Sequence, residues 1–378
     1  MKEKMLSNVK RALRLLCCLA LPLGAMSFVG CQTLSYYKQA IKGQYQIVVQ
    51  RRPIKHLISD PRTPSPLKAK LELVLRIREF AEKELRLPAN GHYLRYAQLN
   101  RRYVVWNVHA APALSLEPKT WWYPIVGRLK YRGYFSEADA RSYADKLKKQ
   151  GFDVYVEGVE AYSTLGWFRD PVLSTFIHHN ETELAEIIFH ELAHQRVFAQ
   201  GDTDFDEAFA TTVGAEGVRR WLHAKKNAAA YEQYLAAHRR QEQFVRLILN
   251  ARRELERVYN GSRPAGTHLG DGDSREPAAS RRRQKEAVII KVRQQYEQMK
   301  DQWAGCAGYD SWFAQPLNNA QLNTVATYEE LVPAFQRLLD LNGGDLEKFY
   351  HIVQELAKVS KDKRHDELTK WTFIAPAF

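Results

Sequence analysis

The hydrophobic pattern is most continuous between Glu183 and Leu222. Apolar residues first surround a helical run on all sides, which predicts a buried helix: Leu184, Ile187, Ile188, Phe189, Leu192, Ala193, Val197 and Phe198. Gly201 then stands where a helix C-cap glycine belongs, and Asp202 or Asp204 is suited to cap a second helix over Phe205–Leu222. The stretch therefore predicts a helical hairpin.

Upstream of this hairpin the pattern changes to strands. The runs Tyr103–Val108, Lys130–Phe135 and Asp153–Val159 are rich in β-branched and aromatic residues, so each is predicted to be a strand. Ser136 is placed to begin a helix that stops before Gly151. Because strand, helix and strand follow one another, we expect a mixed sheet and an α+β lobe over residues 67–222.

Helices are predicted on both sides of this lobe. Leu34–Ile58 favours a helix, which together with a proline-containing linker occupies residues 31–66, and Leu67–Leu87 favours an amphipathic helix. His223–Tyr259 and Ser280–Trp303 are long and charged, and they predict a hairpin within residues 223–303 whose loop, 261–279, should be mobile. Residues 304–378 should form a helical part that packs on the lobe.

The first thirty residues have the features of a secretory signal. A basic start precedes an apolar run from Leu15 to Val29, which is too short for a confident membrane span. The run ends at Gly30-Cys31, which resembles a bacterial lipobox and predicts lipidation of Cys31. Gln32 follows, which by resemblance to sorted lipoproteins favours the outer membrane, facing the periplasm. An uncleaved anchor is the alternative.

Cysteine content and charge agree with an exported protein. Of four cysteines, two lie in the signal and Cys31 would carry lipid, so Cys306 has no partner for a disulfide. The formal charge is +13, of which residues 1–30 contribute +4, so the mature chain would carry +9 and favour contact with anionic envelope surfaces. No nucleic-acid-binding motif occurs, so nucleic acid is not an expected partner, and nothing indicates an oligomeric state.

Candidate chemistry lies in the pattern His190-Glu191-Leu192-Ala193-His194. On a helix, residues i and i+4 share a face, so His190 and His194 can reach one metal ion while Glu191 points away from it. Glu207 lies about as far beyond Gly201 as His194 lies before it, which makes Glu207 the natural third ligand. The alternative is a buried histidine pair satisfied by core carboxylates.

These residues resemble the bacterial family of predicted zinc aminopeptidases, which are membrane-anchored lipoproteins with two His and one Glu as gluzincin-type ligands. The resemblance rests on HELAHQ and DEAFA, on YVVWNVHAAPALSLEPKTWWYPIVGRLKYRGYF and VYVEGVEAYSTLGWFRDPVLST, and more weakly on PLNNAQLNTVATYEELVPAF. It implies a zincin-like fold, zinc bound by His190, His194 and Glu207, and Glu191 as catalytic base. Asp206 departs from the pattern, where Asn is expected.

Two further segments are candidates for contact with substrate. The segment Ala161–Phe168 lies where zincins place the edge strand that pairs with an extended peptide, and Ser163, Thr164, Leu165 and Gly166 are its candidate residues. An ordinary sheet strand is the alternative. Asn318, Asn319 and Tyr328 are placed to orient substrate or stabilise an oxyanion, although packing or capping explains each equally well.

The sequence thus predicts a zincin-like α+β metallopeptidase with a largely helical C-terminal half. Glu191 would take a proton from a zinc-activated water and pass it to the leaving amine. The preference for an aminopeptidase rests on the resemblance, and an endopeptidase or carboxypeptidase acting on cell-wall peptides stays open. The alternative of another class is a non-catalytic envelope scaffold, for which an intact Glu191 would be unnecessary.

Overall fold

The computed structural model describes residues 31–123, 127–161, 169–260, 277–303 and 305–372. Its strands are β1 (Arg51–Pro53), β2 (Arg95–Ala97), β3 (Val105–Pro112), β4 (Trp121–Tyr123), β5 (Gly127–Leu129), β6 (Arg132–Tyr134), β7 (Phe152–Val159) and β8 (Val172–Leu173). Its helices are α1 (Cys31–Gln50), α2 (Ile54–Ser59), α3 (Ser65–Lys83), α4 (Glu137–Lys149), α5 (Glu181–Ala193), α6 (Thr203–Ala224), α7 (Ala228–Asn260), α8 (Ala278–Gln302), α9 (Asp310–Phe313), α10 (Asn319–Glu329), α11 (Val332–Leu341), α12 (Leu346–Lys358) and α13 (Lys361–Thr372).

The three strands predicted upstream of the hairpin form one sheet in the order β6-β3-β7. Both neighbours pair antiparallel with β3, in the registers Trp106 to Tyr134 and Val108 to Val156. Helix α4 begins at Glu137 and is capped by Ser136, whose hydroxyl accepts the backbone N–H of Asp139 at 3.3 Å. The strand–helix–strand unit is therefore present, but β3 lies between its two strands, so this sheet is antiparallel rather than mixed.

A mixed sheet does occur upstream of α5, in different strands. Strand β2 pairs antiparallel with β1 and parallel with β8, and the prediction of a mixed sheet had not included these segments. They are only two or three residues long, which explains why a periodicity of two did not reveal them. A third pair, β4 and β5, is antiparallel.

Helices α5 and α6 pack closely at the centre of the largest apolar core. A Cβ added to Gly217 would lie 2.5 Å from a ring carbon of Phe189, so only glycine allows this approach of the two helices. Helix α3 packs on the outside of α5, and the ring of Phe80 contacts that of Trp221 at 5.1 Å between centroids. The prediction of a buried first helix followed by a second helix holds, and the second helix is largely buried as well.

The ends of these helices differ from the expectation. Helix α5 ends at Ala193, with His194 as its C-cap, so Gly201 is not the cap of that helix. Gly201 has φ +81° and lies in the turn just before α6. Asp202 precedes α6, but its side chain makes no capping hydrogen bond; it bonds Arg364 and His365 instead. The side chain of Asp202 therefore makes ion pairs with distant residues in place of the predicted capping hydrogen bond.

The charged segments form two long helices, α7 and α8, that share a second apolar core with Phe313, Leu317 and Leu322. Helix α7 begins at Ala228, because His223 and the residue after it still belong to α6. Residues 261–276 of the predicted mobile loop lie outside the described residues. Helices α10 and α11 pack against α6, and α13 packs on α11, so the C-terminal part lies against the lobe.

The N-terminal helix is shorter than predicted. Helix α1 ends at Gln50, after which Arg51–Pro53 turns into β1 and pairs with β2. Among the described residues, no helix is both long enough and apolar enough to cross a membrane. The α+β class and the helical C-terminal half are confirmed, while the zincin-like relationship stays a prediction.

Candidate functional site

The structure brings His190, His194 and Glu207 together at one end of the α5–α6 pair. The Oε2 atom of Glu207 lies 3.3 Å from Nε2 of His190 and 3.7 Å from Nε2 of His194. The two imidazole rings stand nearly perpendicular, with centroids 5.0 Å apart. One ligand atom from each residue lies within 4.8 Å of the other two, which is the spacing of a group that can hold a metal ion.

Local sequence explains how α5 presents the histidines. Asn180 and Glu183 form a capping box that fixes the start of the helix. His194 lies one residue past the last helical residue but keeps helical dihedral angles, φ −60° and ψ −20°, so the i, i+4 relationship with His190 is preserved. Glu207 comes from the second turn of α6, and the turn between the helices is longer than the hairpin prediction assumed.

The electrostatics differ sharply between the two glutamates of the site. Burial by itself would raise the pKa of Glu207, but hydrogen bonds with His190 and His194 outweigh it and hold the pKa at about 2. Burial raises the pKa of Glu191 to about 8, and the negative charges of Glu207 and Asp170 add to the rise. Glu207 is therefore an anion at neutral pH, whereas Glu191 can hold a proton near neutrality.

The donor set suits a metal ion. Two imidazole nitrogens and one carboxylate oxygen are the ligands of many catalytic zinc sites. Within the described residues, the ion pairs of Glu207 are with the two histidines, and no lysine or arginine neutralises it. The side chains keep 8 to 20% of their surface exposed, so an ion at this cluster remains accessible.

Two cavities adjoin the cluster, and the more enclosed of them, named the enclosed cavity, has a volume of about 430 Å³. Its floor includes His190, Glu191 and Glu207, and its walls are largely aromatic or aliphatic: Tyr36, Tyr123, Leu129, Tyr131, Phe135 and Phe198. Tyr36 comes from α1 and its hydroxyl bonds that of Tyr123 at 3.3 Å. This side suits an apolar side chain of a ligand.

A more open cavity of about 530 Å³ lies on the other side and shares His190, Glu191 and Tyr328 with the first. Besides Glu191, four carboxylates line it: Glu157, Glu160, Glu183 and Glu186. His179 bonds two of them, Glu160 at 2.5 Å and Glu183 at 3.0 Å. Val159 and Ala161, at the end of β7, line both cavities, and β7 is an edge strand within the described part of the chain.

Among the predicted substrate contacts, Tyr328 lies at the site. Its ring stacks on that of His190 with centroids 6.5 Å apart. The charge of Glu207 and then burial raise the pKa of Tyr328 well above its ordinary value, so its hydroxyl stays a hydrogen-bond donor. Ser163, Thr164, Leu165 and Gly166 lie outside the described residues.

The asparagines that begin α10 have structural roles instead. The side chain of Asn318 accepts the backbone N–H of Gln321 and caps the helix. Asn319 is fully buried; it donates to the carbonyl oxygens of Pro112 and Ser115 and accepts from the Tyr259 hydroxyl. Asn319 does not line either cavity, so the structure favours the packing alternative over contact with substrate. Its hydrogen bonds hold in place the helix that carries Tyr328.

The structure adds one residue that the sequence did not single out, Tyr131, and shows the surroundings of one that it did, Asp206. Tyr131 lines the enclosed cavity, and burial together with the charges of Glu207 and Glu191 raises its pKa. Asp206 accepts the backbone N–H of Ala199 at 2.7 Å, and burial raises its pKa well above the ordinary value. A neutral Asp206 has the shape of the Asn expected there. Tyr131 had no signal beyond its place in a predicted strand.

Comparison with known proteins places the chain. No curated protein and no solved structure matches it. A family model described as "Putative aminopeptidase" matches residues 35–368, which include α5, α6, the sheet around β3 and the helices through α13. The matched region also contains His190, Glu191, His194 and Glu207. The chain therefore belongs to this family, Aminopep.

Proposed function

We propose that the protein is a zinc-dependent peptidase that removes residues from the amino terminus of peptides. The observation that carries the proposal is the convergence of His190, His194 and Glu207 beside Glu191 at the junction of two cavities. The family name supports the aminopeptidase class. The lipidation of Cys31, and with it a place in the bacterial envelope, belongs to the same proposal on sequence grounds alone.

His190, His194 and Glu207 would hold the zinc ion. When bound, zinc polarises a scissile carbonyl, makes a water molecule more acidic, and favours the ionised form of the nearby Glu191. Glu207 is already ionised, because its pKa is about 2, so it contributes a full negative charge. The two histidines contribute neutral nitrogens, which is the protonation state that metal binding requires.

Glu191 is the proton carrier of the reaction. Its carboxylate accepts a proton from a water molecule that attacks the peptide carbonyl, and the same carboxyl group then donates that proton to the leaving amine. A pKa raised by burial suits both steps, since the group must hold the proton between them at neutral pH. The proton that Glu191 takes from water is thus the one that it gives to the leaving amine.

Tyr328 is placed to donate a hydrogen bond to the oxygen that becomes negative during attack. Its hydroxyl remains protonated because Glu207 and burial raise its pKa, and its ring lies against His190. Loss of one such donor typically lowers kcat by about 10²–10³-fold. We expect Tyr328→Phe to show a loss of this size in kcat with KM little changed. If kcat is also unchanged, Tyr328 does not stabilise the oxyanion.

The two sides of the site give the substrate a direction. The exposed edge of β7 offers backbone groups to an extended peptide. Carboxylates on the open side favour a positively charged α-amino group, while the aromatic walls of the enclosed side favour an apolar side chain. This charge asymmetry supports an aminopeptidase over a carboxypeptidase, whose substrate ends in a negative group.

The deciding experiment compares wild type with Glu191→Gln on peptides with free and with acetylated amino termini. Glutamine can still hydrogen-bond a water molecule but cannot accept its proton, so cleavage should fall by about 10²–10⁴-fold. Zinc content should stay at the wild-type value, because Glu191 is not a ligand in this scheme. Glu355→Gln makes the same change at an exposed glutamate of α12 and serves as the matched control.

The outcomes separate the alternatives. Cleavage of free but not acetylated peptides by wild type supports an aminopeptidase. Equal cleavage of both indicates an endopeptidase or a carboxypeptidase, and the masses of the products distinguish these two. A Glu191→Gln protein that cleaves as fast as wild type contradicts the mechanism. If wild type binds zinc but cleaves no peptide in the panel, the non-catalytic scaffold becomes the better account.

A further inference from the structure

Helix α1 carries a band of large apolar side chains on its outer surface. Tyr37, Ile41, Tyr45 and Val49 are 36, 70, 65 and 57% exposed. They make up four of the eight large apolar residues that are exposed in the described part of the chain. Apolar residues scattered singly on a surface are ordinary, but a contiguous band on one helix marks an interaction surface.

The spacing makes the band continuous. The four residues recur at intervals of four, and since successive residues turn by about 100°, they fall within about one third of the helix circumference. Lys38 and Lys42 are exposed in the sector that borders this band. An apolar strip with lysines at its margin is the arrangement of a helix that lies in the plane of a membrane surface.

The band cannot turn inward, because the opposite face of α1 is fixed to the lobe. Gly43 lies so close to the ring of Phe135 that an added Cβ would overlap it, and Gln39 accepts the backbone N–H of Phe135 at 2.9 Å. The guanidinium of Arg132 lies 4.1 Å from the centroid of the Tyr36 ring, and Ile47 is buried in the main core.

We propose that α1 docks through this band on the surface of an anionic lipid bilayer. The occupant follows from charge: the flanking lysines, and the formal charge of +9 that is left of +13 once the predicted signal with its net +4 is removed, favour anionic lipid and disfavour a second copy of this basic chain. Tyrosine also suits the polar–apolar boundary of a bilayer better than a dry protein core.

Docking would orient the candidate active site. Tyr36 and Ala40 of α1 line the enclosed cavity, so the cavity and the bilayer would lie on opposite faces of one helix, separated by about 10 Å. The protein would then act on peptides close to the membrane surface. This consequence rests on the proposed function, whereas docking itself does not.

The test uses the full chain with the photo-cross-linking residue p-benzoylphenylalanine placed at Ile41 or, as matched controls, at the exposed apolar positions Ile290 and Leu341. The protein is irradiated with vesicles of phosphatidylethanolamine and phosphatidylglycerol, and adducts are identified by mass. We expect phospholipid adducts at position 41 and few at the controls. Lys38→Gln and Lys42→Gln should each lower the yield about fivefold on these vesicles, with little change on phosphatidylcholine alone.

Two outcomes would overturn the proposal. One is an adduct at position 41 to a second copy of the chain, which would make the band an oligomer interface. The other is a lipid yield at position 41 no greater than at Ile290 and Leu341. Neither outcome depends on peptidase activity, so failure of docking and failure of the proposed enzyme function can be told apart.

Discussion

Two clusters of carboxylates and histidine lie at the start of α6, and they differ in what surrounds them. His190, His194 and Glu207 form the first, and Asp202, Asp204 and His365 form the second. In the first, the carboxylate pairs only with imidazoles among the described residues, and the group opens on two cavities. The negative charge of Glu207 can therefore be neutralised by a cation from solution.

The second cluster has its cations built in. The guanidinium of Arg364 lies 2.6 Å from Asp202, and the ammonium of Lys130 lies 2.6 Å from Asp204. Lys361 is within 3.4 Å of Asp202 and 3.6 Å of Asp204. Both cluster types meet the spacing of a metal site, so spacing alone does not separate them. The surrounding cations do: the second cluster is a clamp that ties α13 to the start of α6.

The largest expected effect is on metal binding. Glu207→Ala removes the one anionic ligand of the first cluster. Substitution of residues that only hydrogen-bond to metal ligands typically lowers metal affinity by roughly 10–100-fold. Loss of a ligand itself should lower zinc affinity by more than this, and peptide cleavage should be lost with the zinc. Asp204→Ala removes a carboxylate from the clamp and is the matched control. Zinc content by atomic spectroscopy decides the comparison: loss in Asp204→Ala and retention in Glu207→Ala would reverse the two assignments.

The next effect is on stability. Arg364→Met leaves the buried Asp202 without its closest cation and also removes hydrogen bonds to the carbonyl oxygens of Leu356 and Ala357 at the end of α12. Breaking one partner of a buried ion pair typically costs about 3–5 kcal/mol. We expect denaturant unfolding to show a loss of this size, while zinc content of the folded protein is unchanged. A stability loss accompanied by loss of zinc would mean that the clusters are coupled.

The smallest effect is the dependence of the clamp on pH. Burial would raise the pKa of Asp202, but His365, Lys361 and Arg364 lower it to about 2. Because the folded-state pKa is depressed, the stabilisation is fully present above the unfolded value of about 4 and is lost as pH falls from there through about 2. Its size is about 2 kcal/mol.

The measurement compares the free energy of unfolding of wild type with that of Asp202→Asn across this pH range. The difference between the two proteins should shrink as pH falls below about 4. A difference that does not change with pH would show that Asp202 stabilises the fold through its hydrogen bonds and not through its charge.

Long periodic segments were well predicted from the sequence. Helix α6 and strand β7 match the predicted segments closely, whereas α5 ends earlier than predicted and β3 extends past Val108 to Pro112. The existence of these four elements was predicted because their composition and apolar pattern are visible in the residue order. The i, i+4 relationship of His190 and His194 is equally local. Short elements such as β1 and β8 were missed, since two or three residues carry no periodic signal.

The failures share one cause. Asp202 was predicted as a cap, and Gly201 as a helix end, from rules that apply to neighbours in the chain. In the folded protein Asp202 bonds Arg364, a residue more than a hundred positions away, and α5 ends several residues before Gly201. A buried charge is stabilised far more by a tertiary cation than by a local backbone N–H, so the distant contact prevailed.

The sequence by itself determined the helix that carries His190, Glu191 and His194, and the placement of Glu207 on the next helix, because helical spacing fixes those positions. Only the tertiary structure decided which carboxylates keep an uncompensated charge and which are clamped by arginine and lysine. The tertiary structure also places Tyr328 and Tyr131 at the site, and it buries Asn319 in contact with Tyr259, away from the site. Electrostatic environment and cavity shape depend on residues far apart in the chain, and no local pattern encodes them.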